Sequence, residues 1–223
     1  MKATSRPATE TIQWLKTVIE ENDLDSFSQC SKGCSYCCHQ IVCLTIFEAM
    51  ELAKGLEKMS DSEREPVLSQ AITNVKANNT VTHDGERWMM SLPCPLLANE
   101  RCSVYKHRPI GCRATTSTDQ YYCQQQYEQP ELKGHLPPSA TVKDINPSTL
   151  TVGQFDVAFG KSRTRDFPNL PIIELASRID LDRFVEYYCV PNAAIRKKRL
   201  KKLAAFDLDT LKKLNKRTEA PNL

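Results

Sequence analysis

The chain lacks most of the signatures that announce an enzyme class. Its seven glycines, among 223 residues, are scattered. No G-x-G-x-x-G turn and no Walker loop occurs, so a backbone cradle for nucleotide phosphates has no support. A G-x-S-x-G elbow and an H-E-x-x-H helix are also missing, which leaves the hydrolase and zinc-protease readings without a foothold. No apolar run approaches the ~20 residues of a membrane span. The N-terminus, Met1-Lys2-Ala3-Thr4-Ser5-Arg6-Pro7, leads into a segment carrying Glu10, Lys16, Glu20 and Glu21. That is no signal-peptide apolar region. The expected location is the cytoplasm.

Against these absences stands one excess. Ten cysteines are present. An apolar content of 40% is enough for a core without cross-links. In a reducing compartment such a count points to ligands rather than disulfides.

Four thiols fall within nine residues: Cys30, Cys34, Cys37 and Cys38, with Gly33 allowing a tight turn between them. The spacings of the first three let two sulfurs at a time face one ion. The adjacent pair Cys37-Cys38 is different, because neighbouring side chains diverge. Both on a single zinc would be strained. They suit two adjacent metals, a multi-iron cluster, or one ligand with a supporting thiol. A second stretch supplies Cys94, Cys102 and Cys112. Thiolates bind zinc at about 2.3 Å, four to a tetrahedron, and they also hold iron–sulfur clusters. Seven thiols are one short of two tetrahedra. Cys123 is the eighth candidate, but a histidine, carboxylate, water or substrate could take that position. An incompletely ligated metal would make the chain a metal- or cluster-dependent enzyme acting near Arg113 and Cys123. Cys43 and Cys189 read as core residues, and His39 and His107 as ordinary surface or core histidines. Arg108 and Arg113 flank Cys112, placed either to contact an anion or cluster sulfur or to pair with nearby glutamates.

The order of these motifs resembles a known family. Cys-x3-Cys-x2-Cys-Cys is followed by Val42-Cys43-Leu44-Thr45 and a helix with Glu48. Then come Cys94-Pro95-x-Leu97 and Cys102-x-Val104-Tyr105-x-x-Arg108-Pro109-x-x-Cys112-Arg113. Over residues 30–113 this is similar to the YkgJ-type cysteine-cluster proteins, described as zinc- or iron-chelating. The resemblance implies a metal site at Cys30, Cys34, Cys37, Cys38, Cys94, Cys102 and Cys112, without choosing the metal or a reaction. Seven or eight cysteines in two blocks exceed what one structural zinc needs, which favours an iron–sulfur cluster over zinc.

Periodicity and caps predict a mainly α fold with irregular cysteine-rich loops, a short β-hairpin and basic C-terminal helices. A helix is expected over Thr9–Glu21. Thr45-Ile46-Phe47-Glu48 and Ser60-Asp61-Ser62-Glu63 are capping boxes, opening helices to about Lys58 and Asn78. Gln40 to Leu44 reads as an extended piece. Trp88, Met89, Met90 and Leu92 are expected to pack beneath the second cysteine stretch. Asn99-Glu100-Arg101 is the expected hairpin turn and Ser103 to Tyr105 a strand. Asp119–Glu128 reads as a helix, Thr149–Phe159 as strand or helix, and Pro171 to Cys189 as one helix. Three units follow: a cysteine-cluster domain (1–128), a proline-containing connection (129–170) and a C-terminal helical segment (171–223).

Charge is unevenly spread. Residues 196–217 hold ten Lys/Arg against two Asp, a net of +8, within a chain whose total is +3. The leucines at 200, 203, 208, 211 and 214 form a stripe suited to docking on the body, with the basic face outward. RNA or another polyanion is the partner such a segment would take, which would make the metal site only a staple. Phe206 is its single aromatic residue, too few for base stacking.

Overall fold

A computed structural model describes residues 29–81, 86, 89–109, 112, 115, 117, 119–132 and 179–205. The helix expected at Thr9–Glu21, the element at 149–159, Trp88, Arg113, the start of the Pro171 helix and everything beyond 205 lie outside the described residues.

Among the described residues the fold is mainly α, with two pairs of very short strands. Tyr36–His39 is a 3-10 turn, and strand β1 is Cys43–Leu44. Thr45 then caps helix α1, Ile46–Leu56: its side chain accepts from Glu48 N, and the Glu48 carboxylate accepts from Thr45 N at 2.8 Å. Ser60 and Glu63 repeat this exchange at the start of helix α2, Asp61–Asn79. Both capping boxes satisfy amide donors that the first turn would otherwise leave without partners. Strands β2 (Leu97–Ala98) and β3 (Arg101–Cys102) form a hairpin. Helix α3 spans Gln120–Glu128 with Asp119 as its cap. Strand β4 (Ile179–Asp180) runs directly into helix α4, Leu181–Tyr188, and helix α5 is Ala193–Ala204.

Strand β4 pairs antiparallel with β1, matching Cys43 to Asp180 and Leu44 to Ile179. This brings the C-terminal helices onto α1 and α2. Helix α4 lies on α2, and α5 crosses α1. The core they share contains Leu44, Ile46, Leu52, Leu56, Ile179, Phe184 and Tyr188. The Phe184 and Tyr188 rings stack at 5.5 Å. Among the described residues no helix is long and apolar enough to cross a membrane.

Several expectations are corrected. The Pro171 to Cys189 helix does not run through 179–180. Asp180 is extended there and caps α4, accepting from Asp182 N at 2.9 Å and Arg183 N at 3.3 Å. The β3 strand comes earlier than Ser103–Tyr105. Asn99 (φ 50°) and Glu100 (φ 57°) both take positive φ, making a two-residue turn that starts β3 at Arg101. Ser103 instead closes onto the Leu96 carbonyl, and Tyr105–His107 is a 3-10 turn. Cys43 is exposed, because β1 buries only its Leu44 side. Met89, at 44% exposure, lies at the surface rather than beneath the cysteines. Cys189 is buried in the core as expected.

Candidate metal centre

Hydrogen bonds gather the cysteine segments. Gly33 (φ +98°) makes the turn in the first block, with Cys34 N donating to Ser31 O at 3.0 Å. The Cys94 amide donates to the Cys38 carbonyl at 2.7 Å, which ties the second block to the first. The Ser35 hydroxyl also donates to Glu100 at the hairpin tip. A third segment closes from the other side. Gln29 N donates to Ser117 O at 2.9 Å, Gln120 N to Gln29 Oε1 at 3.0 Å, and Ser117 N to the Cys30 sulfur at 3.4 Å. Helix α3 packs on the 36–39 turn through Tyr127, whose ring lies 4.5 Å from His39 and 5.7 Å from Tyr36.

The thiols therefore influence one another. Burial raises Cys34, and Cys30 and Cys37 raise it further. Cys37 is raised most by its hydrogen bond with Cys38, then by burial. Burial also raises Cys123, with Cys30, Cys37 and Cys34 adding to it and a Ser117 hydrogen bond opposing. In the second block burial dominates. Cys94 is raised well above the usual thiol range, with Cys112 adding to it. Cys112 is pushed up to about 12, with Cys37 and Cys102 adding to burial. The neighbours fall into two overlapping sets: Cys30, Cys34, Cys37 and Cys123 in one, and Cys94, Cys102 and Cys112 in the other, with Cys37 facing both. Cys123, left open by the sequence, joins the first set.

This donor set fits a soft cation. In a cluster of half-buried thiols each deprotonation opposes the next, and a bound cation reverses that order because thiolate is the ligand form. Cys34, Cys37, Cys38, Cys94, Cys112 and Cys123 are free thiols. Among the described residues, no three Cys, His, Asp or Glu side chains already sit in ion-holding geometry. Six of the eight thiols, Cys30, Cys34, Cys37, Cys38, Cys94 and Cys102, sit on loops, 3-10 turns or two-residue strands, which can adjust more readily than a long helix.

His39 and His107 turn to protein partners. His39 Nδ1 donates to the Ser35 carbonyl at 3.2 Å. His107 Nδ1 lies 2.9 Å from Glu51 Oε1, and its Nε2 is 3.1 Å from Lys58 Nζ. Arg108 lies over the Tyr105 ring at 4.2 Å and acts on both thiol sets, lowering Cys37 and Cys112. Its position before Pro109 in the cysteine-spaced motif was the signal for it. Three further contributors have no local signal. Ser117 bonds to Cys30, Asp182 faces Cys94, and Asn74 joins the two regions by donating to Pro93 O at 2.8 Å and Asp182 Oδ1 at 2.9 Å.

Residues 29–131 match the CxxCxxCC family, described as a "putative zinc- or iron-chelating domain". All eight nominated cysteines fall within the match. No curated protein and no solved structure matches the chain.

Proposed function

We propose that the protein holds an iron–sulfur cluster on thiolates drawn from both cysteine blocks, a reading supported by the match of residues 29–131 to the CxxCxxCC family. The ligands come from Cys30, Cys34, Cys37, Cys38, Cys94, Cys102, Cys112 and Cys123. The observation that carries this reading is the gathering of three cysteine-bearing segments, with the Cys94 amide on the Cys38 carbonyl at 2.7 Å and the Ser117 amide on the Cys30 sulfur at 3.4 Å, around Cys37, which acts on Cys34, Cys123 and Cys112. One residue facing both thiol sets, beside a second thiol, suits a multi-iron centre or two adjacent metals better than one isolated zinc. A cluster would supply one-electron transfer or metal storage.

The protein's own part is to gather and shield the thiols. The Cys94–Cys38 backbone bond holds the two blocks in register. Arg108 provides positive charge where the thiolates accumulate, and Ser117 bonds to both Cys30 and Cys123. The test is metal and acid-labile sulfide analysis with a visible spectrum, on protein purified without oxygen. Coloured protein carrying iron and sulfide is the expected result. Colourless protein with two zinc ions per chain would keep the ligand set and replace the cluster. Protein with neither metal would overturn the proposal.

A further inference from the structure

The basic C-terminal helix carries a second feature, independent of the metal. Helix α5 has six Lys/Arg and no acidic residue between 193 and 205. The structure divides these six by direction. Arg196 is buried, donating to Glu57 Oε1 at 2.6 Å and to the Val190 and Pro191 carbonyls at 2.8 Å each. Arg199 lies over the Tyr187 ring at 4.6 Å and donates to the Tyr187 carbonyl. Lys197, Lys198, Lys201 and Lys202 are exposed, and among the described residues none of them pairs with a carboxylate.

At 100° per residue, Lys197, Lys201, Lys198 and Lys202 occupy an arc of about 140°. Arg199, Leu203, Arg196 and Leu200 fill the arc directly opposite, and it is this side that docks: Leu203 is fully buried and Leu200 packs against the core. The arginines and leucines anchor the helix, so the four lysines share one outward face spanning two turns.

We propose that this face docks on the phosphodiester backbone of duplex nucleic acid, without reading its sequence. Four ammonium groups on two successive turns provide the repeated positive charge that a phosphate backbone takes. Lysine is a point charge with no fork for base edges, and both arginines that could supply one are engaged inward. Aromatic residues for stacking single-stranded bases are absent from α5, which favours a duplex over a single strand. An anionic membrane fits less well. A helix lying in a lipid interface buries its apolar face there, whereas α5 has already spent that face on the protein. Ile195, at 43% exposure, is the only large apolar residue it leaves outward.

The experiment is fluorescence anisotropy of the full-length, metal-loaded protein with two labelled 20-base-pair duplexes of unrelated sequence, across salt concentrations. Four phosphate contacts predict a slope of about −3.6 in log K against log salt, or about 150-fold weaker binding between 50 and 200 mM salt. Both duplexes should bind equally. The pair variants K197Q/K198Q and K201Q/K202Q should each flatten the slope by about 1.8, with melting temperature and metal content unchanged. The two pairs act separately, so one that fails to fold leaves the other as the test. Unchanged binding in a folded pair variant would overturn the proposal. So would an absence of duplex binding at 50 mM salt, or capture by phosphatidylserine vesicles in preference to the duplex.

Discussion

Replacing Arg196 with Met isolates what holds the C-terminal helix to the body. The methionine keeps the apolar stem and removes the guanidinium, which bonds Glu57 Oε1 at 2.6 Å and two carbonyls at 2.8 Å. These bonds are not of equal worth. The Glu57 side chain is 43% exposed, so water screens that pair and its share is about 1 kcal/mol. Pro191 is exposed, and its carbonyl can turn to water. The Val190 carbonyl is half-buried and loses a charged donor, costing about 1–2 kcal/mol. The sum is a loss of about 2–3 kcal/mol, against less than about 0.5 kcal/mol for Lys197→Met on the exposed face. Urea unfolding followed by circular dichroism measures both. Burial raises the Glu57 carboxyl, but hydrogen bonds from Arg196 and Tyr188 outweigh it, and the net shift is downward. A lowered folded-state pKa contributes stability that is present above the unfolded value, about 4.3. That contribution is lost as pH falls through the folded value. The gap between wild type and Arg196→Met should therefore narrow below about pH 4, leaving the carbonyl share. A loss no larger than that of Lys197→Met, or a gap that widens in acid, would refute the reasoning.

Three further outcomes are expected. Cys34→Ser and Cys102→Ser should lose metal and stability together, because ligand binding energy at such sites is folding energy; the buried Cys189→Ser should keep its metal, read by elemental analysis. Gly55→Ala should lower stability by about 1 kcal/mol despite better helix propensity, since its Cβ would stand 3.0 Å from both Val104 Cγ1 and His107 Cβ. Val104→Ala should cost less in the Gly55→Ala background than in the wild type, a coupling read in the same unfolding assay. Asn74→Ala should cost about 1–3 kcal/mol by stripping donors from Pro93 O and Asp182 Oδ1, with faster amide exchange in α4 as its signature.

Local chemistry was legible in the sequence and long-range chemistry was not. Thr45/Glu48 and Ser60/Glu63 placed the starts of α1 and α2, because a capping box needs only four residues. The α1 stripe of Ala49, Leu52, Ala53 and Leu56 is fully buried for the same reason of helical period. Cys43 was misread because an apolar run does not say how short the strand is or which side it buries. The 171–189 periodicity hid the extended pair at 179–180, whose partner lies on β1, far back in the chain. Arg196 looked like part of a solvated basic face, and only its bond to Glu57, 139 residues away, turns it inward. At the metal centre, spacing nominated the cysteines and left Cys123 open. The Gln29–Ser117 and Gln120–Gln29 bonds that bring it toward Cys30 have no sequence signature.

The stretch that matches the family ends at 131, yet the core beneath the cysteines does not. Strand β1 begins five residues after Cys38, and its only partner strand among the described residues is β4 at 179–180. Helix α4 covers α2, and α5 covers α1, so Leu44, Ile46, Leu52 and Val67 share one core with Phe184 and Leu203. The second cysteine block is tied to the same helices, since Asn74 bridges the Pro93 carbonyl to Asp182. Any movement that draws Cys94 toward Cys37 and Cys38 must pull on Pro93, and through Asn74 on the first turn of α4. The Cys94 loop and the 179–205 segment therefore share Asn74 on α2 as a common anchor: its amide holds both the Pro93 carbonyl beside Cys94 and the Asp182 carboxylate in the first turn of α4.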